Sequence, residues 1–152
     1  MNKEIANKIK YLENTGKYEQ LKNYTQHNNY STYQHCIAVC ETSLKLAETL
    51  HIKCNVEDLI TAALLHDYYL YDWHEKDKSH SLHGFKHGKI AMQNAYNDYH
   101  INTKIQIAIK RHMFPLTPIP PTSKIGFLVT LADKICATKE VFKKNKLVPN
   151  ME

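Results

Sequence analysis

The sequence predicts an all-α fold, a single compact helical bundle, and three observations carry that prediction. Apolar residues recur at intervals of three and four along most of the chain, no segment alternates strictly for more than a few residues, and helix-capping residues stand ahead of the apolar stripes. A length of 152 residues allows one domain with a sizeable core and excludes two full domains with a linker. Hydrophobic residues at 43% and charged residues at 23%, with only 4 Gly and 5 Pro, exclude a disordered or fibrous chain. No apolar run approaches the roughly 20 residues that span a bilayer. Met1 to Lys10 mixes charged and apolar residues where a secretory signal is continuously apolar, so the expected address is cytoplasmic, with no membrane partner.

Taken in order, the first helix is expected from Lys3 to Glu13 with Ile5, Ile9 and Leu12 as its stripe, and Gly16 opens a short helical piece through Leu21. Thr25 to Tyr30 is polar and predicted to be a loop, so residues 1–30 form a helical extension packed on the domain. Ser31 or Thr32 caps a long helix to about His51, with Cys36, Val39, Cys40, Leu44, Ala47 and Leu50 inward. Asn55 caps the next, whose first turn carries Glu57 and Asp58 at the favourable end of the helix dipole and whose stripe runs through Ile60 and Ala63 to His66 and Asp67. The pattern is lost from Tyr68 to Lys86. It resumes near His87 as a helix to about Tyr99, then another from Asn102 or Thr103 to Met113. Pro115, Pro118, Pro120 and Pro121 predict a rigid extended loop, and the last helix is expected from about Ser123 to Lys143. The domain proper is thus 31–142, and 143–152 is a frayed tail.

The net charge of +5 is spread along the chain, with no basic block longer than Lys143, Lys144 and Lys146, and nothing resembles a nucleic-acid recognition motif. Cys36, Cys40, Cys54 and Cys136 show neither CxxC nor zinc-ribbon spacing and read as reduced thiols. Ten histidines, against a typical usage of about 2%, are what the composition leaves to explain.

Several of these histidines break apolar faces. His35 lies four residues before Val39, His66 and Asp67 close the very apolar LITAALL helix, and His112 follows Ile109 by three and Ile105 by seven. Asp133 sits within GFLVTLADKICA, four after Val129 and three before Cys136. A buried carboxylate is costly unless paired or metal-bound, and Arg111 is the only arginine able to offer a bidentate partner. Imidazoles and carboxylates on the inner faces of different helices are most economically explained by cations at the bundle centre. That donor set suits Fe, Mn, Zn, Co or Ni rather than Ca.

His35, the pair His66-Asp67 and the later Asp133 match the H…HD…D signature of the HD-domain metal-dependent phosphohydrolases, which this sequence resembles from roughly Ser31 to Phe142. The HD pair follows an AALL helix, a helical His precedes it and a helical ADK follows. LLHDYYLYDWH and HMFPLTP are similar to stretches of small bacterial HD proteins, and resemblance to the HD hydrolases of diadenosine polyphosphates is more distant. His87 and His112 look like the extra ligands of the binuclear subgroup. The chain departs from the HDIGK pattern, because Tyr68, Tyr69 and Leu70 follow the pair and no residue takes the place of that lysine.

The resemblance implies two divalent transition-metal ions, Fe or Mn foremost. His35, His66, Asp67 and Asp133 would hold one, and Asp67 would bridge to a second held by His87 and His112. Two close cations lower the pKa of a bridging water and clamp phosphoryl oxygens, so the implied reaction is hydrolysis of a phosphomonoester or phosphoanhydride of a nucleotide or other small phosphorylated metabolite. Arg111, Lys134 and Lys86 or Lys89 are the expected cationic contacts to phosphate, beside Asp67 as the central catalytic group. His83 is the expected donor to phosphate or leaving group, and Tyr68, Tyr69, Tyr71 and Trp73 offer walls for a base. Among His80, His83 and His87 the expected ligand is His87, since Ala91 and Ala95 follow on its side of a helix, whereas Gly84 favours a turn at His83 and two serines flank an exposed His80. A diiron oxygenase on the same fold and a non-catalytic nucleotide-binding regulatory domain are the alternatives. Manganese-dependent phosphatase activity that persists without oxygen would exclude the first, and the second is disfavoured by six filled ligand positions.

Overall fold

Among the described residues each α-helix but one starts where a side chain takes up a free backbone N–H. Asn2 accepts from Glu4 N at 2.8 Å ahead of α1, Lys3–Thr15. Ser31 forms a reciprocal capping box with Gln34 ahead of α2, Thr32–Thr49, and Asn55 accepts from Asp58 N at 2.9 Å ahead of α3, Val56–Leu65. Asn102 accepts from Ile105 N ahead of α5, Thr103–Arg111, and Ser123 accepts from Gly126 N at the start of α6, Lys124–Asn145. The exception is α4, His83–Tyr99, which follows Leu82 in the left-handed region at φ 59° with no side-chain cap. The computed structural model describes residues 1–27, 29–74 and 82–145, without the side chains of 144 and 145.

The α2 helix packs against both α3 and α6, while α5 packs on α3, α4 and α6. Cys36, Val39 and Cys40 of α2 meet Leu59, Ala63 and Leu64 of α3 and Leu128, Val129 and Ala132 of α6 in one apolar core. That core also takes in Ile5, Ile9 and Leu12 of α1 and, from a 3₁₀ helix at Tyr18–Asn23, Tyr18 and Leu21. Burying a Leu or Ile side chain contributes about 1.5–3 kcal/mol. A polar group placed among such residues forfeits a comparable amount unless something pairs with it. Among the described residues no helix is long and apolar enough to cross a membrane.

Three local expectations are corrected. Thr25 to Tyr30 is not a plain loop, because β1, Thr25–His27, pairs antiparallel with β2, Tyr30–Ser31, and Thr32 N donates to Tyr24 O at 2.7 Å beside them. Strands of two and three residues are too short to show alternation. The α4 helix begins at His83 rather than His87. Gly84 serves close packing there rather than a turn, since a Cβ on it would stand 2.9 Å from Leu116. The proline segment is a series of turns rather than extended, with Phe114 N bonded to Arg111 O and Thr117 N to Met113 O. The last helix, expected from about Ser123 to Lys143, runs as α6 to Asn145, with Lys143 favourably placed near its negative end. His80 and residues 146–152 lie outside the described residues.

Candidate metal centre

Five helices or their ends converge on one point. His35 comes from the first turn of α2, His66 and Asp67 from the turn that ends α3, His87 from the second turn of α4, His112 from the end of α5 and Asp133 from the middle of α6. His35, His66, Asp67 and His112 are fully buried, while His87 and Asp133 are 4% and 8% exposed, so access runs past the last two. Three overlapping groups have donor atoms close enough to share an ion: His35, His66 and Asp67; His66, His112 and Asp133; and Asp67, His87 and His112.

Hydrogen bonds fix which nitrogen of most rings faces inward. Nδ1 of His66, His87 and His112 lies 2.7, 3.0 and 2.7 Å from the carbonyls of Ala63, His83 and Ile109 respectively. A carbonyl only accepts, so each Nδ1 donates and Nε2 of the neutral ring carries the lone pair. Those bare nitrogens point at one another: His87 Nε2 and His112 Nε2 are 3.0 Å apart. His66 Nε2 lies 3.4 Å from Asp67 Oδ2 and 3.6 Å from Asp133 Oδ1 yet makes no hydrogen bond, and Asp67 Oδ1 is buried without a hydrogen-bond donor. Inward lone pairs, an orphaned carboxylate oxygen and mixed N/O chemistry fit a divalent transition metal.

The remaining ring is held differently. His35 Nδ1 lies 2.9 Å from Glu140 Oε1 and its Nε2 3.0 Å from Asp133 Oδ1. Burial opposes charge on His35, but the Asp133 and Glu140 carboxylates outweigh it and hold the imidazole up to about 10. Burial likewise opposes charge on His66, Asp67 and Asp133. Even so, His66 is raised well above its ordinary value, chiefly by Asp67, while Asp67 and Asp133 are held well below theirs, the first mainly by His66 and the second by His35. Without a cation, protons on His35 and His66 offset the carboxylates; a bound cation would supply that charge in their place and leave the His66 Nε2 lone pair to face it. Burial lowers His112.

The cluster forms the floor of a cleft of about 920 Å³, walled by Trp73, Met113, Pro115 and Leu116, with Lys134 on its rim. His83 is part of that wall. Its ring stacks on Trp73 at 5.1 Å and on His87 at 4.5 Å, and its Nδ1 lies 2.7 Å from the Tyr71 hydroxyl. Burial and the neighbouring His87 lower it to about 4, so it is neutral at pH 7. Lys134 Nζ donates to His112 O at 3.1 Å. Arg111 is not brought to the cleft: its guanidinium donates to Thr122 Oγ1 at 3.2 Å. Lys86 and Lys89 are exposed on α4 and do not line it either. Of the four aromatic residues, Trp73 lines the cleft. Tyr68 is buried away from it, donating to Asp98 Oδ2 at 2.7 Å and packed on Tyr18 and Tyr99.

Sequence reasoning missed Glu140, Gln26 and His27. Glu140 stands seven residues after Asp133, hence on the same face of α6, and that spacing was the available signal. Gln26 and His27 lie on β1, where nothing in the pattern marks them. Gln26 Nε2 donates to Asp67 Oδ2 at 2.7 Å, and His27 lines the cleft with its ring centre 6.0 Å from that of His35.

The family model described as HD domain matches residues 32–138, well over half of the chain, and the span contains all six inward-facing histidines and aspartates but neither Gln26 nor Glu140. No curated protein and no solved structure matches the chain significantly.

Proposed function

The chain belongs to the HD-domain family, and from that premise we propose that it is a metal-dependent phosphohydrolase acting on a phosphomonoester or phosphoanhydride of a nucleotide or other small phosphorylated metabolite. The observation that carries this reading is the division of Asp67. Its Oδ2 lies 3.4 and 3.7 Å from Nε2 of His66 and His35, whereas its Oδ1 lies 3.2 and 3.4 Å from Nε2 of His87 and His112. One carboxylate facing two sets of imidazoles is what a pair of cations requires. His35, His66, Asp67 and Asp133 would hold one, and Asp67, His87 and His112 the other, with iron or manganese suited to the donor set.

When bound, such a pair activates water at neutral pH and offsets charge on the phosphoryl oxygens. The protein's own groups supply the rest. Lys134 stands at the rim, where exchanging its bond to His112 O for a phosphoryl oxygen needs only side-chain rotation. His83, neutral and clamped between Trp73 and His87, is placed to offer a ring N–H to the substrate. A cleft of about 920 Å³ lies within the roughly 300–1,000 Å³ typical of small-molecule sites, and the indole of Trp73 gives a flat group such as a base a surface to pack on.

Anaerobic purification with elemental analysis, followed by manganese-supported hydrolysis of a panel of nucleotides and phosphorylated metabolites, tests the reading. About two ions per chain and hydrolysis that persists without oxygen are expected. Each ion at 100 times its Kd should raise stability by about 2.7 kcal/mol, so the pair should raise the melting temperature by roughly 10–20 °C for a chain of this size. Absence of bound metal together with no hydrolysis on adding Mn, Fe, Co or Ni overturns it.

A further inference from the structure

Asp67 sits at the shared edge of both groups, and a carboxylate is free to turn about its terminal torsion, which would tilt both oxygens out of register with the four imidazoles. Something has to hold it. Among the described residues the one hydrogen-bond donor to Asp67 outside the histidine cluster is Gln26 Nε2, 2.7 Å from Oδ2. Gln26 is 8% exposed and stands on β1, ahead of the residues that the family model matches.

The carboxamide is itself oriented. Its Oε1 accepts the Tyr69 hydroxyl at 2.5 Å and lies 3.4 Å from Thr32 Oγ1, which in turn is 3.2 Å from the Tyr69 oxygen. The flipped amide would set its carbonyl oxygen against the Asp67 carboxylate, which offers no proton, so only one orientation satisfies the network. Each carboxylate oxygen has two lone pairs. The bond from Gln26 therefore takes one on Oδ2 and leaves the other toward His35 and His66, with Oδ1 wholly toward His87 and His112.

We propose that Gln26 is a positioning residue, whose carboxamide, locked by Tyr69, clamps Asp67 Oδ2 and so keeps Oδ1 aimed at the His87–His112 half of the centre. On this view β1 completes the site, and the segment before residue 32 is part of the working unit. The inference rests on the metal reading above.

Titration of Mn²⁺ into the metal-free full-length protein tests it, with wild type, Gln26→Leu and Tyr69→Phe compared and the metal-free melting temperature recorded for each. Wild type should bind two ions. Gln26→Leu should bind the first much as wild type does and the second roughly 10- to 100-fold more weakly, the range found when an outer group that orients a ligand is removed. Tyr69→Phe, which keeps the amide but frees its rotation, should shift the same ion in the same direction by less. A merely space-filling role predicts a change in metal-free melting with both affinities intact, and two ions bound by Gln26→Leu as by wild type overturns the inference alone. If Gln26→Leu does not fold, unchanged binding in Tyr69→Phe overturns it. A wild type that binds no ion overturns the metal reading and this inference together.

Discussion

His35, on the α2–α6 side of the centre, has a carboxylate at each ring nitrogen, Glu140 at 2.9 Å and Asp133 at 3.0 Å. On the α4–α5 side, His87 and His112 donate to backbone carbonyls and share with each other a single carboxylate oxygen, Asp67 Oδ1. The first half is set by charge: its carboxylates are close enough to hold His35 protonated against complete burial. The second is set by how closely two helices approach. They meet at Gly88, where a Cβ would lie 2.9 Å from Lys110 O and 3.3 Å from Ile109 O. A site assembled from one electrostatic half and one steric half should fail in two separable ways.

Asp67 belongs to both halves, so Asp67→Ala is the change expected to do most. It removes the shared carboxylate and leaves two cations without charge compensation. Hydrolysis should fall by well over the roughly 100-fold that marks the upper range for groups one step further out, and both ions should bind more weakly. Steady-state kinetics and metal analysis on the purified variant check this, and a folded Asp67→Ala retaining most of its turnover would remove the shared carboxylate from the mechanism.

Next in size comes the contrast within α4. His87→Ala should lose one ion of the pair, because it deletes one of the two nitrogens specific to the α4–α5 half. His83→Ala, one turn earlier, should keep both ions and lose turnover instead. Paired elemental analysis and kinetics separate the two, and two ions retained in His87→Ala would mean that the ligand is misassigned.

These residues also show what could be read from the sequence alone. His35, the His66-Asp67 pair, His112 and Asp133 announced themselves because each interrupts an otherwise apolar helical stripe, where a polar side chain is costly without a partner. The helices carrying them were legible for the same reason, and their caps at Ser31, Asn55 and Asn102 stand in the sequence as plain signals. Glu140 sits in the charged run TKEVFKK, where an acid looks like surface; only its spacing from Asp133 places it inside. Gln26 was invisible, since a three-residue strand has no pattern and a glutamine in a polar stretch carries no energetic contradiction until Asp67 is seen beside it. The start of α4 was misplaced because Gly84 has two physical meanings, turn and close packing, and sequence does not distinguish them.

The halves can be uncoupled by a pair of smaller changes. Gly88→Ala forces a methyl group against the α5 backbone, an overpacking expected to cost about 1–3 kcal/mol of stability, and by separating His87 from His112 it should weaken the second ion while sparing the first. Glu140→Gln does the reverse. It leaves a hydrogen bond to His35 but removes the charge that raises the ring's basicity, so the first ion should bind roughly 10- to 100-fold more weakly with the second little changed. Calorimetric titration with Mn²⁺ and thermal melts of both variants give the four comparisons, and a Gly88→Ala that weakens both ions equally would show the halves to be one mechanical unit.

The smallest effects concern two of the cations adjacent in sequence to the centre, Arg111 beside His112 and Lys134 beside Asp133. Adjacency to His112 favours Arg111 in the sequence, and the geometry ranks the two the other way. Arg111 follows the outer side of α5 and bonds Thr122, while Lys134 reaches the cleft rim and donates to the carbonyl of His112. A hydrogen bond to a charged group is worth about 1.5–3 kcal/mol. Because the Lys134 side chain is 39% exposed, the lower end applies, so Lys134→Ala should raise KM by about tenfold with a lesser fall in kcat, the mark of a group that holds substrate and transition state alike. Arg111→Ala should leave both constants near wild type. Michaelis–Menten curves for the two variants on the best substrate of the panel decide the matter, and the opposite ranking would place the phosphate on the α5 side of the cleft rather than beneath Lys134.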